Sequence, residues 1–486
     1  MQWLDQAGGG LIARAVGAGK TLTGLGFFGE QIKKNPEYKA LVAVPRDILA
    51  QWHQEGQRFT DLPLVVIPDG VTSEERLEKW ASVKPGSIAI CSHQDAANKN
   101  DLAAIEELGF HGVCIDEPQE LKSASGPKGS AALKRIMRIN AQNRVALTAT
   151  PAREAPQELY DSVNWVSKTP YQDANGKTRY RSLIGSRKSF ERSYANLGVG
   201  TNAQETAIGR ALYREVEPYI STDSNIQRDY EVKHNVVKAE RTPEQIDRQR
   251  HLETNADSIL TDLKQRVRDK ISKQKRFEGN PGFLAREVND RAKAIFESLH
   301  RENFTGDASG SNGKINALVK NVMGESGEVK PGKHVILIEN DAQRKAVIEA
   351  LKQKGATNSQ IANLADKKSK TDYEARKQKF VHGGEKVPFI LIDQSSLVGH
   401  NLGMAGHFHA LGVMGDMASQ LQAIGRVTRA GRIGDVNVTH YVQEDNPWEA
   451  RHLNKLDRQL KLIRASTPEN PTGPRCVCLQ VAPISG

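Results

Sequence analysis

A chain of 486 residues is too long for one ordinary hydrophobic core and long enough for two or three domains. Charged residues at 26%, apolar residues at 38% and a mean hydropathy of -0.55 exclude a disordered or membrane-embedded chain, and no apolar run approaches the roughly 20 residues a bilayer span requires. Lys and Arg number 68 against 58 Asp and Glu, a net charge of +10, which favours an anionic polymer as partner but also fits an ordinary solvated surface.

The opening Met1-Gln2-Trp3-Leu4-Asp5 has neither the basic nor the apolar stretch of a secretory signal, so the chain is expected inside a cell: bacterial or viral-host cytoplasm, or the nucleus of a eukaryote. Short apolar runs follow at Gly10 to Ala13, Ala40 to Val44, Leu64 to Ile67, Ser87 to Cys91, Gly112 to Ile115 and Arg144 to Leu147, most of them separated by helix-patterned segments. This alternation predicts a parallel sheet covered by helices over residues 1–166. Cys91 and Cys114 lie inside these runs, where a cysteine behaves as a small hydrophobe, and four cysteines in this length frame no disulfide scaffold.

From Ser167 the pattern is expected to stop. Residues 167–312 read as a charged, mostly helical insertion and linker, with Asn280-Pro281-Gly282 as a break and Thr305 to Gly313 leading out. Alternation returns at His334 to Glu339, Val387 to Ile392, His409 to Met414 and Val436 to Tyr441, which predicts a second α/β lobe over residues 313–465. Residues 466–486 read as an extended, proline-rich tail. Cys476 and Cys478 in that tail have no second pair to complete a zinc site.

Three motifs carry chemistry. Gly10 to Thr21 is a strand, a glycine-rich turn and a helix start. Gly17, Ala18 and Gly19 let backbone N–H groups cradle phosphates, Lys20 can neutralise them, and the Thr21 hydroxyl can ligate Mg²⁺, although Arg14 stands where the strict phosphate-loop pattern has glycine. Gly112 to Glu117 is an apolar strand that delivers two carboxylates at its carboxyl end, where open α/β sheets place ligands. Asp116 can hold the Mg²⁺ of bound ATP, and Glu117 can orient or deprotonate the attacking water. Gln422 to Gly431 places Arg426 and Arg429 three residues apart, on one face if the segment is helical; taken alone they read first as an ordinary surface helix with two arginines, and otherwise as arginine fingers for a transferring phosphoryl group.

In order and spacing these segments resemble the superfamily-two helicases and, within them, the Swi/Snf-type translocases on double-stranded DNA. The resemblance runs from Gly10 to Tyr441. Leu41 to Trp52 with Glu55 resembles the family's motif Ia, Asp116 to Lys122 its Asp-Glu-x-His box, and Leu147 to Pro151 its motif III, with Glu158-Leu159-Tyr160 similar to the helix that leads out of lobe one. Ser395 to Leu402 is similar to motif V, and Gln422 through Arg426, Arg429 and Gly431 to motif VI.

The resemblance implies two tandem RecA-like lobes, with Gln422 joining the arginines in the catalytic set. It implies that Thr148, Thr150 and Gln119 couple the nucleotide state to the track, and that Pro45, Arg46, Ser396 and Asn401 meet backbone phosphates. The charged stretch between the lobes matches the place of the family's helical protrusions.

The chain departs from the pattern with Gln119 in place of the usual His and Arg432 where Gln is common. Only sixteen residues precede Gly17, which predicts either a further segment upstream of Met1 or a loosely held base. The expected activity is ATP-driven translocation on duplex DNA. The alternatives are a degenerate DNA- or protein-binding module without productive hydrolysis, and a strand-separating DNA or RNA helicase.

Overall fold

The computed structural model describes all residues except 1, 15–16, 124–126, 153–155, 176–177, 182, 195–201, 223–229, 275–279, 306–311, 367–369, 394–401, 412–416, 429–431, 433, 444–445 and 467–486. The strands are β1 (Gly9–Ala13), β2 (Ala40–Val44), β3 (Leu64–Val66), β4 (Ile88–Ser92), β5 (Gly112–Asp116), β6 (Asn143–Thr148), β7 (Thr169–Gln172), β8 (Thr178–Arg181), β9 (Ile220–Ser221), β10 (Val232–Lys238), β11 (His334–Leu337), β12 (Ile361–Asn363), β13 (Phe389–Ile392), β14 (His407–Ala410) and β15 (Val436–Val442).

They form a seven-stranded sheet in the order β3-β4-β2-β5-β6-β1-β9, a six-stranded sheet in the order β10-β15-β14-β11-β13-β12, and the antiparallel ribbon β7-β8. Every pairing in the two large sheets is parallel. The fold is α/β with two tandem parallel sheets.

Parallel strands covered by helices on both faces are apolar throughout, and the alternation of side chains divides each strand between two cores. Leu41 and Ala43 of β2 face one core with Val113 and Ile115, while Ala40, Val42 and Val44 face the other with Phe28 and Trp52. In the second sheet Val335 and Leu337 face one core, and Ile336 and Ile338 the other.

Between Ser167 and Asn312 the structure corrects the expectation that alternation stops. β9 joins the edge of the first sheet beside β1, and β10 pairs along its whole length with β15 in the second. β9 is two residues long, and β10, Val-Lys-His-Asn-Val-Val-Lys, is a half-exposed edge strand whose polar residues hide the signal of a buried one. The three-residue edge strand β12 escaped for the same reason. The antiparallel ribbon β7-β8 also falls in this stretch, and the expected helical character holds for the helices Pro243–Thr254, Ala256–Ile271 and Pro281–Thr305.

Those helices are fastened to the second sheet by buried polar groups. Gln245 Oε1 accepts from the Gly313 N–H at 3.0 Å and from Gln443 Nε2 at 3.0 Å. Beside it the fully buried Lys314 ammonium pairs with Glu449, whose other oxygen accepts the Gln443 N–H at 2.8 Å. The C-terminal helix Pro447–Ser466 packs both on Pro281–Thr305 and on Asn202–Val216, whose Leu212 and Val216 belong to the first sheet's core.

One face of the second sheet breaks the apolar rule. His334, His407, His409, Asn437, Thr439 and Asn235 line a recess of about 380 Å³ at the amino ends of its strands. The imidazoles stack, with centroids 4.7 Å apart for His334 and His407 and 5.3 Å for His334 and His409. A directional hydrogen-bond chain runs through them. His334 Nε2 donates to the Lys330 carbonyl at 3.2 Å, so its Nδ1 must accept from His409 Nε2 at 3.0 Å. His409 Nδ1 then accepts from the Tyr441 hydroxyl at 3.0 Å, which in turn accepts from Asn321 Nδ2 at 2.8 Å. This order of donors and acceptors belongs to the neutral rings, which desolvation favours by lowering the pKa of both His334 and His409.

Candidate functional site

The strand β1 ends at Ala13, and the helix Lys20–Lys34 begins seven residues later behind a glycine turn. Gly17 and Gly19 have φ of 81° and 70°, left-handed values that a side chain would strain, so the turn demands glycine at both positions. It leaves the helix N-terminus open, with Gly17 and Gly19 exposed and Lys20 and Thr21 partly so. Lys20 Nζ donates to the Arg14 carbonyl at 3.1 Å, and an ammonium has three protons to give. Arg14, the departure from the glycine pattern, reaches sideways instead, to Thr23 Oγ1 at 3.4 Å and to Ser221 Oγ of β9 at 3.3 Å. It therefore ties the turn to the sheet edge.

Two strands away, β5 ends in Asp116. The carboxylate is buried, and one of its oxygens, Oδ2, accepts the Trp52 indole N–H at 2.8 Å. Burial, and after it the Glu117 carboxylate, pushes the Asp116 carboxyl up to about 7, against the pull of Lys20 and of the Trp52 hydrogen bond. A buried acid beside a second carboxylate resists ionisation, and a cation bound there would offset both effects.

Glu117 has φ 48°, the one non-glycine residue with positive φ among the described residues, a conformation that costs roughly 1–2 kcal/mol. That turn swings its side chain off the strand line and into contact with β6. Glu117 Oε2 accepts from Thr148 Oγ1 at 2.8 Å, Oε1 from the Ala149 N–H at 3.3 Å, and Gln119 Nε2 closes on the same carboxylate. Gln119 Nε2 also reaches Thr148 Oγ1 at 2.7 Å and Thr150 Oγ1 at 3.3 Å, while its buried Oε1 has no hydrogen-bond partner. Lys20, Asp116, Glu117, Gln119, Thr148 and Thr150 thus converge at the carboxyl end of the first sheet.

The donor chemistry fits Mg²⁺ that arrives with a nucleotide. Mg²⁺ keeps waters and takes one or two protein oxygens plus substrate phosphates. Among the described residues no group of three or more His, Cys, Asp or Glu could hold an ion alone. Asp116 and the Thr21 hydroxyl are the residues that would complete such a sphere.

The other sequence-derived candidates lie apart from this cluster in the chain. Pro45 and Arg46 form the turn between β2 and the helix Leu49–Phe59, with Arg46 half-exposed and paired to Asp69 at 2.6 Å. Gln422 and Arg426 lie one turn apart on the helix Met417–Val427, where the Arg426 carbonyl accepts the Leu402 N–H at 3.0 Å. Ser396, Asn401 and Arg429 lie outside the described residues. Arg432 holds backbone: its guanidinium donates to the carbonyls of Gly403, Ala405 at 2.6 Å, Gly434 at 2.7 Å and Asp435 at 2.8 Å, a fan that glutamine could not reproduce.

Sequence reasoning gave no role to Trp52 or His93. His93 is buried, is pushed down to about 4 by desolvation, and donates from Nε2 to the Asp116 carbonyl at 2.8 Å. No spacing rule pairs residues 64 and 23 positions away from an acid, so only the fold reveals them.

Comparison with known proteins gives the family. The model of the SNF2-related domain family matches residues 1–252. The chain is 22% identical over 487 residues to the DNA repair and recombination protein RAD54B of Gallus gallus, covering 93% of this chain and 51% of that protein. It is 23% identical over 253 residues to the bifunctional helicase and thymine dioxygenase JBP2 of Leishmania braziliensis, covering 47% of this chain and 23% of that one. The chain therefore spans about half of the first relative and under a quarter of the second. Among solved structures, the Sulfolobus solfataricus SWI2/SNF2 ATPase core in complex with dsDNA is 18% identical, with a TM-score of 0.37 over 94% of this chain and 92% of that one. No helix among the described residues is long and apolar enough to cross a membrane. With its glycine turn, its acid pair and more than half its length inside the matched domain, the chain belongs to the SNF2-related domain family of helicase-like proteins.

Proposed function

We propose that the chain is a DNA-stimulated ATPase that translocates on double-stranded DNA. The observation that carries this reading is the convergence of Lys20, Asp116 and Glu117, with Glu117 already wired to Thr148 of the neighbouring strand and to Gln119.

In this reading the backbone of Gly17, Ala18 and Gly19 and the Lys20 ammonium hold the phosphates of ATP, and Asp116 and Thr21 hold Mg²⁺. The bound ion would neutralise charge on the bridging phosphate oxygens. Glu117 positions the attacking water, and its carboxylate is free to do so only when Thr148 and Gln119 yield part of their grip. Thr148, Thr150 and Gln119 therefore couple hydrolysis to motion. Arg426 and Arg429, with Gln422 behind them, approach the phosphoryl group from the second lobe when the cleft closes. Pro45, Arg46, Ser396 and Asn401 contact backbone phosphates, which suits a motor indifferent to sequence. We place the lobes at residues 1–166 and 313–465, with the second lobe also taking β10.

ATP turnover with and without duplex DNA tests the reading. Turnover should rise with DNA and fall by at least about 100-fold in Lys20→Ala and in Glu117→Gln. DNA binding without measurable turnover in the wild type would replace the motor with a binding module.

A further inference from the structure

Asp116 is held from two sides by side chains that both lie outside its own strand. Its main-chain oxygen accepts from His93 Nε2 at 2.8 Å, and its side-chain Oδ2 accepts from Trp52 Nε1 at 2.8 Å. Trp52 lies 1% exposed, so its indole N–H must find a protein partner or leave a buried donor unsatisfied. The partner it finds is the carboxylate of the strand-end acid. A hydrogen bond is directional, so the indole takes Oδ2 of Asp116 and sets the plane in which the other oxygen lies.

The indole is itself held against the other half of the nucleotide site. A Cβ built on Gly24, one turn into the helix that starts at Lys20, would lie 3.5 Å from Trp52 Cη2 and 3.3 Å from Leu147 Cδ1. The ring therefore reaches from that helix to Asp116, lying at van der Waals distance from position 24. Trp52 also belongs to the helix Leu49–Phe59, directly after the Pro45–Arg46 turn. One side chain thus touches both the helix that starts at Lys20 and the strand-end acid.

We infer that Trp52 is a positioning residue for the metal: its indole N–H occupies Oδ2 of Asp116 and aims the remaining oxygen at the Mg²⁺ of bound nucleotide. This rests on the nucleotide-site reading above and adds to it a residue that acts through Asp116 alone. Removing a group that orients a metal ligand costs about 10- to 100-fold in metal affinity or activity.

Two measurements on the full chain test it. In Trp52→Phe, which keeps a ring but loses the N–H, the Mg²⁺ concentration for half-maximal turnover should rise by about 10-fold or more, with metal-free nucleotide binding unchanged. Trp52→His, which retains a ring N–H, should recover part of that loss. Independently of turnover, the ¹H–¹⁵N spectrum of the wild type holds indole signals from five tryptophans, and the signal missing in either variant is that of Trp52. It should move when Mg²⁺ is added in the presence of ADP, and should stay put in Asp116→Asn. A Trp52 signal indifferent to Mg²⁺, or an unchanged Mg²⁺ requirement in Trp52→Phe, overturns the positioning role while turnover still depends on Lys20 and Asp116. If Lys20→Ala and Asp116→Asn leave turnover intact, the nucleotide site itself is misassigned and the inference falls with it.

Discussion

Arg46 shows how little an exposed ion pair need resist a better partner. Its guanidinium is about half exposed and holds Asp69 at 2.6 Å, and pairs of this kind are worth roughly 0–1 kcal/mol. A DNA phosphate offers the same planar recognition and releases counterions as well. Asp69→Asn should therefore tighten binding to duplex DNA at low salt by a few-fold. Arg46→Ala should weaken binding on every sequence and reduce the slope of log affinity against log salt by about 1. A fluorescence-anisotropy salt titration checks both, and an unchanged slope in Arg46→Ala would remove this arginine from the track.

At this scale the sequence was informative wherever chemistry is local. Gly17, Gly19, Lys20 and the Asp116-Glu117 pair announce themselves by spacing, because a phosphate turn and a strand-end acid need those residue types in that order. Trp52 is silent by the same standard. Its role arises from a hydrogen bond to a residue 64 positions away.

Among the elements, β2 and β5 were legible because a strand buried on both faces is an unbroken apolar run, as Ala40–Val44 is. β10 was not, since an edge strand with Lys233, His234 and Asn235 has the composition of a loop, and its pairing with β15 is a fact of tertiary structure. The histidine stripe on β11 and β14 was hidden for another reason: a buried imidazole is tolerated only where partners satisfy it, and those partners are Lys330, Tyr441 and Asn321.

That stripe makes the second sheet acid-sensitive. Desolvation pushes His334 down to about 4 and His440 to about 3, and lowers His407 and His409 as well. An unfolded histidine titrates near 6.5, so below that pH the unfolded chain binds protons that the folded one refuses. Stability is complete above about pH 7 and falls as pH drops from about 6.5 toward 4, by up to about 1.4 kcal/mol per pH unit for each such histidine. Urea unfolding at pH 7.5, 6.0 and 5.0 should show the midpoint falling in that window. A flat profile would mean that the buried rings take up protons at the same pH as in the unfolded chain.

For the whole molecule the decisive topological fact is that the chain passes from the first sheet to the second once, between β9 and β10. The helix Pro447–Ser466 returns to touch Asn202–Val216, but among the described residues no strand crosses back. This organisation was only half readable in advance: two strand-helix alternations announced two lobes, whereas the strand each sheet draws from the intervening stretch did not. Ser221 and Val232 can be separated by no more than roughly 40 Å of extended chain. A leash of that length keeps each half as a captive reactant of the other, at an effective concentration on the order of millimolar. Engagement of the halves is then first order and indifferent to dilution. Severing the leash, by expressing 1–225 and 226–486 as separate chains, should make specific activity rise with protein concentration, whereas the intact chain should give the same specific activity at nanomolar and micromolar concentrations.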